Sequence, residues 1–250
     1  MKKILFFLLF LIGGCVSFEM PSEFAYHETK TGGFEIISWQ KINRPQQTYK
    51  IYIEGDGHAF NAKGHPTNDP TPKSSFMREL ATNDKNSNVI YLARPCQYVK
   101  SERCEQKFWT TARFAPEVVE AEYQTIKKIV HNNPIILIGY SGGAQVAGLI
   151  AATKPDLNIK KIITVAGNLD HRAWVEHHHL VPLNGSLSLT DYYTDFINIP
   201  QIHYVGEKDK VILPELTQQF IKNNALVVIV PKATHDKGWE SIFQKIWSEN

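Results

Sequence analysis

The chain has 250 residues, 43% of them hydrophobic and 21% charged, which suits one globular domain with a core large enough to need no staple. Its formal net charge is +2, with no concentrated basic stripe, so nucleic acid is disfavoured as a partner and the lysine-rich stretches read as solvated faces.

At the N-terminus, Lys2-Lys3, the apolar run Ile4 to Ile12 and Gly13-Gly14-Cys15 match the basic, hydrophobic and small-residue regions of a secretory signal. The run is well short of the roughly 20 apolar residues that a membrane span needs, so export is expected rather than a permanent span. Ile12-Gly13-Gly14-Cys15 also resembles the lipobox of bacterial lipoproteins, with Ile and Gly where Leu and then Ala or Ser are commonest. The alternative is an ordinary cleavable signal with an incidental cysteine. The resemblance implies that Cys15 becomes the first mature residue and carries acyl chains that tether the protein to a membrane. Val16 resembles an outer-membrane address, with the domain in the periplasm. The expected organisation is a signal over 1–14, a tether over 15–33 and one domain over 34–250.

Strand and helix signals then alternate, which predicts an α/β architecture: a mostly parallel sheet with helices on both faces. Phe34 to Trp39 and Thr48 to Glu54 read as strands, Ser74 to Ala81 as a short helix, and Val89 to Ala93 as a buried strand ending at Arg94-Pro95. Cys96 and Cys104 follow. With Cys15 set aside they form an even pair in a compartment that permits oxidation, so a disulfide is expected and two free thiols are the alternative. Two cysteines without a second close pair fall short of a zinc quartet, and no metal or cofactor is called for. Pro116 opens a helix whose apolar residues, among them Val118, Val119, Ile126 and Val130, recur at helical spacing up to Asn132-Asn133-Pro134.

The apolar run Ile135 to Ile138 leads into Gly139-Tyr140-Ser141-Gly142-Gly143, and a helix-forming run starts at Ala144. G-x-S-x-G between a strand and a helix reads as a nucleophile elbow, with the serine at a strained tip and glycines letting strand and helix pass closely. A turn serine without chemistry is the competing reading of the pentapeptide alone. Beyond it, Lys161 to Ala166 and Ile202 to Val205 read as strands, Pro214 to Ile221 as a helix, Leu226 to Val230 as the last strand, and a helix closes the chain. The interval 167–199 has no confident element and is a candidate cap over an active site.

This order of elements resembles the α/β-hydrolase superfamily from about Tyr49 to Trp247. The resemblance implies Ser141 as nucleophile, His235 in Ala233-Thr234-His235-Asp236 as its base, and Asp209 in Gly206-Glu207-Lys208-Asp209 as the acid that orients the imidazole. Glu207 is the alternative acid. Downstream of the elbow, His203 lies inside an apolar strand and His171 is either a substrate contact or a helix-capping or loop-ordering residue, while Tyr140, within the elbow, is a candidate substrate contact. A serine hydroxyl needs such a base because it is a poor nucleophile by itself. The oxyanion donors would be the Gly142 N–H and one from the loop Gly55, Asp56, Gly57 and His58, which of them being open. Trp109, Phe114, Trp174, Tyr192 and Tyr193 are candidates for an acyl pocket or for core. His177-His178-His179 reads as solvated cap rather than a metal tract, because successive helical residues diverge by about 100°.

The blocks Ile53 to Gly57, Leu92 to Tyr98 and Ala166 to His171 are also similar to those of bacterial α/β-hydrolase lipoproteins without an assigned substrate. The expected function is a serine hydrolase that cleaves a carboxylic ester or related acyl bond through an acyl-enzyme, on a small-molecule or lipid acyl substrate. The alternatives are an acyltransferase and a non-catalytic binding or envelope-assembly lipoprotein.

Overall fold

The computed structural model describes residues 18–222 and 226–249. The signal and Cys15 lie outside the described residues. Among the described residues, eight strands form one sheet in the order β1-β2-β4-β3-β5-β6-β7-β8. They are β1 (Ala25–Thr31), β2 (Phe34–Ile42), β3 (Tyr49–Ile53), β4 (Asn88–Leu92), β5 (Ile135–Tyr140), β6 (Ile159–Val165), β7 (Gln201–Gly206) and β8 (Leu226–Val230). β2 runs antiparallel to β1 and to β4, and every pair from β4 through β3 to β8 is parallel.

Parallel strands covered on both faces read as nearly continuous apolar runs, and β3, β4 and β5 are buried at every position, with Lys50 and Asn88 as polar exceptions. Their alternating side chains feed two cores. Ile51, Ile53, Ile90, Leu92, Ile135 and Leu137 face the helices α2 (Pro116–Val130) and α3 (Gly142–Thr153). Tyr52, Val89, Tyr91, Ile136 and Ile138 face α1 (Phe76–Thr82) and the closing α7 (Glu240–Ser248), which follows α6 (Pro214–Phe220). His203 belongs to this fabric: its ring nitrogens bond Thr164 Oγ1 and Gln201 Oε1, each at 2.8 Å. Burial pushes its pKa down to about 3, so it stays neutral.

Two expectations need correction. The stretch 15–33 is not all tether, because residues 25–31 form β1 and pair along β2 from Gln40 to Phe34. The polar sequence Tyr-His-Glu-Thr-Lys conceals this edge strand, whose residues are mostly exposed. Nor is the whole of 167–199 a cap: only its first half reaches the cavity in front of Ser141, through Asn168 and Trp174. The interval holds α4 (His171–His177), a 3-10 turn (Leu189–Tyr192) and α5 (Tyr193–Ile197). Leu189 and Phe196 are fully buried in the α2–α3 core, so the second half of the interval packs against the body of the domain.

Cys96 and Cys104 are joined. Gln97, beside the bridge, is buried; its side-chain amide accepts from Arg94 N–H at 3.0 Å and donates to Gly55 O at 3.0 Å. The disulfide therefore restrains a loop that holds the end of β3. Opening it with Cys104→Ser is expected to lower unfolding free energy by about 2–3 kcal/mol, the chain-entropy value for so short a loop. Denaturant unfolding of the oxidised protein against the variant measures this, and a change below about 1 kcal/mol would mean the loop is held by its other contacts. No helix among the described residues is long and apolar enough to cross a membrane.

Candidate active site

The site begins where β5 ends. Ser141 sits between β5 and α3 with φ 50° and ψ −121°, a conformation that costs a non-glycine residue on the order of 1–3 kcal/mol. Neighbouring contacts hold it there: Ser141 N–H donates to Val165 O at 3.1 Å, and Ser141 O accepts from Asn168 N–H at 3.0 Å. Gly143 is required by contact with the end of β3, and Gly142 by the Asp56 side chain in the loop beyond it. A Cβ on Gly143 would lie 2.4 Å from Ile53 O, and one on Gly142 would lie 2.1 Å from Asp56 Oδ1.

The strained tip brings the serine to a histidine. Ser141 Oγ is 3.0 Å from His235 Nε2, and His235 Nδ1 is 2.9 Å from Asp209 Oδ2. Asp209 is buried, and its other oxygen accepts the N–H groups of Val211 at 2.8 Å and Ile212 at 3.0 Å, which fixes the carboxylate plane. Its rival Glu207 accepts the Lys232 N–H at 2.8 Å instead. The His235 carbonyl accepts from Tyr140 Oη at 3.2 Å and from Trp239 Nε1 at 3.3 Å, and the Tyr140 ring lies 5.3 Å from the imidazole. Tyr140 lines the cavity, and its phenol also anchors the loop that carries His235. Burial raises that phenol well above its ordinary pKa, so it remains a donor.

Of the four loop N–H groups after β3, two are taken. Gly55 N–H donates to Glu54 Oε1 at 2.8 Å, which removes Gly55 from the expected oxyanion donors, and His58 N–H donates to Pro70 O at 2.9 Å. The N–H groups of Asp56 and Gly57 have no acceptor among the described residues, and both residues line the cavity in front of Ser141.

That cavity measures about 350 Å³, and Ala59, Phe60, Trp174, Val211 and Ile212 form its apolar wall. Trp174 is thus the one aromatic of the expected set at the site. Trp109 and Phe114 are core residues, and Tyr192 and Tyr193 pack partly buried against the same core, away from the cavity. Of the two readings of His171, its contacts fit the ordering one. It is buried at the start of α4, bonds Leu187 O at 3.1 Å and faces a separate hollow, so it orders the chain rather than touching the cleft. His178 Nε2 and Trp174 Nε1 both bond Val211 O, at 2.9 and 2.8 Å, tying α4 to the acid loop.

A buried charge network behind the cavity was not anticipated. Asp56 pairs with Arg113 at 2.6 Å and Arg94 at 3.4 Å, and Arg94 Nε lies 2.6 Å from Glu122 Oε1 in α2. Desolvation pushes the Glu122 carboxyl up to about 7 despite Arg94 beside it. One signal was available: Arg94 follows five apolar residues at the carboxyl end of a parallel strand, the edge where such sheets place their sites.

Strained serine, hydrogen-bonded histidine and buried aspartate, arranged along the carboxyl edge of this sheet, define an α/β-hydrolase-fold serine hydrolase. Residues 69–234 match the model of the family described as serine hydrolase (FSH1), and the chain belongs to that family. No curated protein matches the sequence. Among solved structures, the chain is similar to Est1E from Butyrivibrio proteoclasticus at 14% identity and TM-score 0.60, covering 89% of this chain and 96% of that one. It is similar to an α/β serine hydrolase homologue from Coxiella burnetii at 16% identity and TM-score 0.60, covering 92% and 96%. A proline iminopeptidase from Mycobacterium smegmatis aligns at 12% identity and TM-score 0.63, covering 89% and 96%. At such identities these likenesses establish the fold alone.

Proposed function

We propose that this serine hydrolase cleaves a carboxylic ester, with Ser141 as nucleophile, His235 as general base and acid, and Asp209 as the group that orients the imidazole. The observation that carries the reading is the continuous relay from Ser141 Oγ to His235 Nε2 at 3.0 Å and from Nδ1 to Asp209 at 2.9 Å. With Nδ1–H donated to the carboxylate, Nε2 is the acceptor that takes the serine proton. Oγ then bonds to the acyl carbon, and the oxyanion meets the Gly142 N–H and the free N–H groups of Asp56 and Gly57. Collapse expels the alcohol, which receives the proton from His235. Water, deprotonated by the same imidazole, attacks the acyl-enzyme and releases the acid. A non-catalytic binding role is disfavoured, since a retired site has no reason to hold a strained serine within bonding reach of its base.

Export and lipidation at Cys15 complete the reading. They are supported by the lipobox-like segment and by a disulfide that suits an oxidising compartment. The test is a fluorophosphonate probe with mass mapping of the adduct. Labelling is expected at Ser141 and lost in Ser141→Ala and His235→Ala; a folded, oxidised protein that stays unlabelled would sink the hydrolase mechanism. For the anchor, Cys15→Ala is expected to move the protein out of the membrane fraction.

A further inference from the structure

Arg113 is only 5% exposed, yet it lines the cavity in front of Ser141. Its Nε donates to Thr110 O at 2.6 Å and its Nη1 to Asp56 Oδ2 at 2.6 Å. Its Nη2 has no acceptor among the described residues. The guanidinium is also flanked by the rings of Phe60 and Trp174, at 5.4 and 6.0 Å from their centroids. An arginine so held has little rotamer freedom left to lose, and a donor that faces the cavity without a protein acceptor can take one from a bound ligand.

We infer that Arg113 anchors a carboxylate carried by the substrate, so that the site takes small esters bearing an anionic group a few atoms from the scissile bond. The inference rests on the hydrolase reading and names its substrate class. Asp56 does not cancel the attraction, because Arg94 shares that carboxylate. Glu122, the further partner of Arg94, is only partly charged at neutral pH, with its carboxyl pushed up to about 7. Glu54, the other carboxyl on the cavity wall, accepts Gly55 N–H and Tyr91 Oη, and burial raises its pKa too. Lys73 adds a cation to the lining. The cavity's size, about 350 Å³, leaves room for a short chain beside the anion, and its apolar wall accommodates the methylenes.

The test compares kcat/KM for esters with and without the charge. Mono-p-nitrophenyl glutarate is set against p-nitrophenyl pentanoate, and butyryl glycolate against ethyl butyrate, which places the carboxylate on the acyl or the alcohol side. The protein is expected to prefer the charged member of at least one pair by about 10- to 100-fold, the range a hydrogen bond to a charged group represents. The preference should appear mainly in KM, weaken with salt, collapse in Arg113→Gln and survive in part in Arg113→Lys. No preference in either pair, or equal losses on charged and uncharged esters in Arg113→Gln, would overturn the inference and leave Arg113 as a support for Asp56. A binding arm separates this from failure of the hydrolase reading. Ser141→Ala protein should bind monomethyl glutarate in calorimetry, at least tenfold more tightly than Ser141→Ala/Arg113→Gln, whether or not the parent turns over any ester. Equal binding by the two would also overturn the anion site.

Discussion

Ser141→Ala is expected to lower kcat/KM on any ester the protein hydrolyses by about 10⁴- to 10⁶-fold, leaving the fold intact. Alanine tolerates φ 50° no worse than serine, and the contacts that hold the tip run through the Ser141 backbone N–H and carbonyl, so stability should change little. Asp209→Asn is expected to cost about 10⁴-fold by a different route. Its Oδ1 would still accept Val211 and Ile212 N–H, so the loop keeps its shape. Its amide, however, would present N–H to His235 Nδ1 and turn the imidazole into the tautomer that cannot take the serine proton. Because the three groups act as one relay, the double variant should be no slower than the worse single one. Steady-state rates on p-nitrophenyl esters decide this; losses that multiply across the two substitutions would mean that Asp209 and Ser141 act separately.

The elbow was legible because its chemistry is local. A buried strand, a serine that must take a left-handed conformation and glycines that must pass close to the end of β3 and the loop beyond it all leave marks within a dozen residues, Ile135 to Val146. Asp209 and His235 could be placed because each follows an apolar strand, β7 and β8, and the parallel order delivers strand ends to one edge. The choice of Asp209 over Glu207 rested on resemblance, and the structure supplies the physical reason: the N–H groups of Val211 and Ile212 turn one carboxylate inward, while Glu207 caps the Lys232 N–H.

What stayed hidden depends on contacts far apart in the chain. The strand β1 has no apolar alternation to announce it, since its mostly exposed residues are held by pairing with β2. His171 read as a loop residue near a strand end, but the descent of the chain into α4 buries it against Leu187 O, 16 positions away. Gly55 qualified as an oxyanion donor until its N–H was found turned back onto the side chain of Glu54. Phe60 and Arg113 come from loops separated by more than 50 residues, and no spacing rule could bring them to one wall. The Asp56–Arg94–Glu122 chain is longer still, linking the end of β3, the end of β4 and the middle of α2.

Arg94→Met is expected to destabilise the protein by about 3–5 kcal/mol at pH 8, the range found when one partner of a buried ion pair is removed. Methionine keeps an apolar chain in place of the packed stem, but it leaves the Arg113 carbonyl without its donor and Glu122 without its cation. Glu122 Oε2 already has no partner, so the carboxylate would have no compensation at all. The sign with pH follows from the direction of its shift. Burial raises the folded-state pKa of Glu122 to about 7, above the unfolded value, so its contribution is fully present below the unfolded pKa and is lost as pH rises through the folded one. Without Arg94 that folded pKa rises further, and the cost of the substitution should shrink toward pH 5, where the carboxyl is protonated, and grow toward pH 8. Glu122→Gln in the Arg94→Met background should recover much of the loss at pH 8 and flatten the dependence, since a neutral amide needs no cation. Denaturant unfolding of the four proteins at the two pH values closes the cycle. A cost for Arg94→Met that is independent of pH, or that Glu122→Gln does not reduce, would mean that Arg94 acts through Asp56 and the loop after β3, and that the pair with Glu122 contributes nothing to the stability of the site.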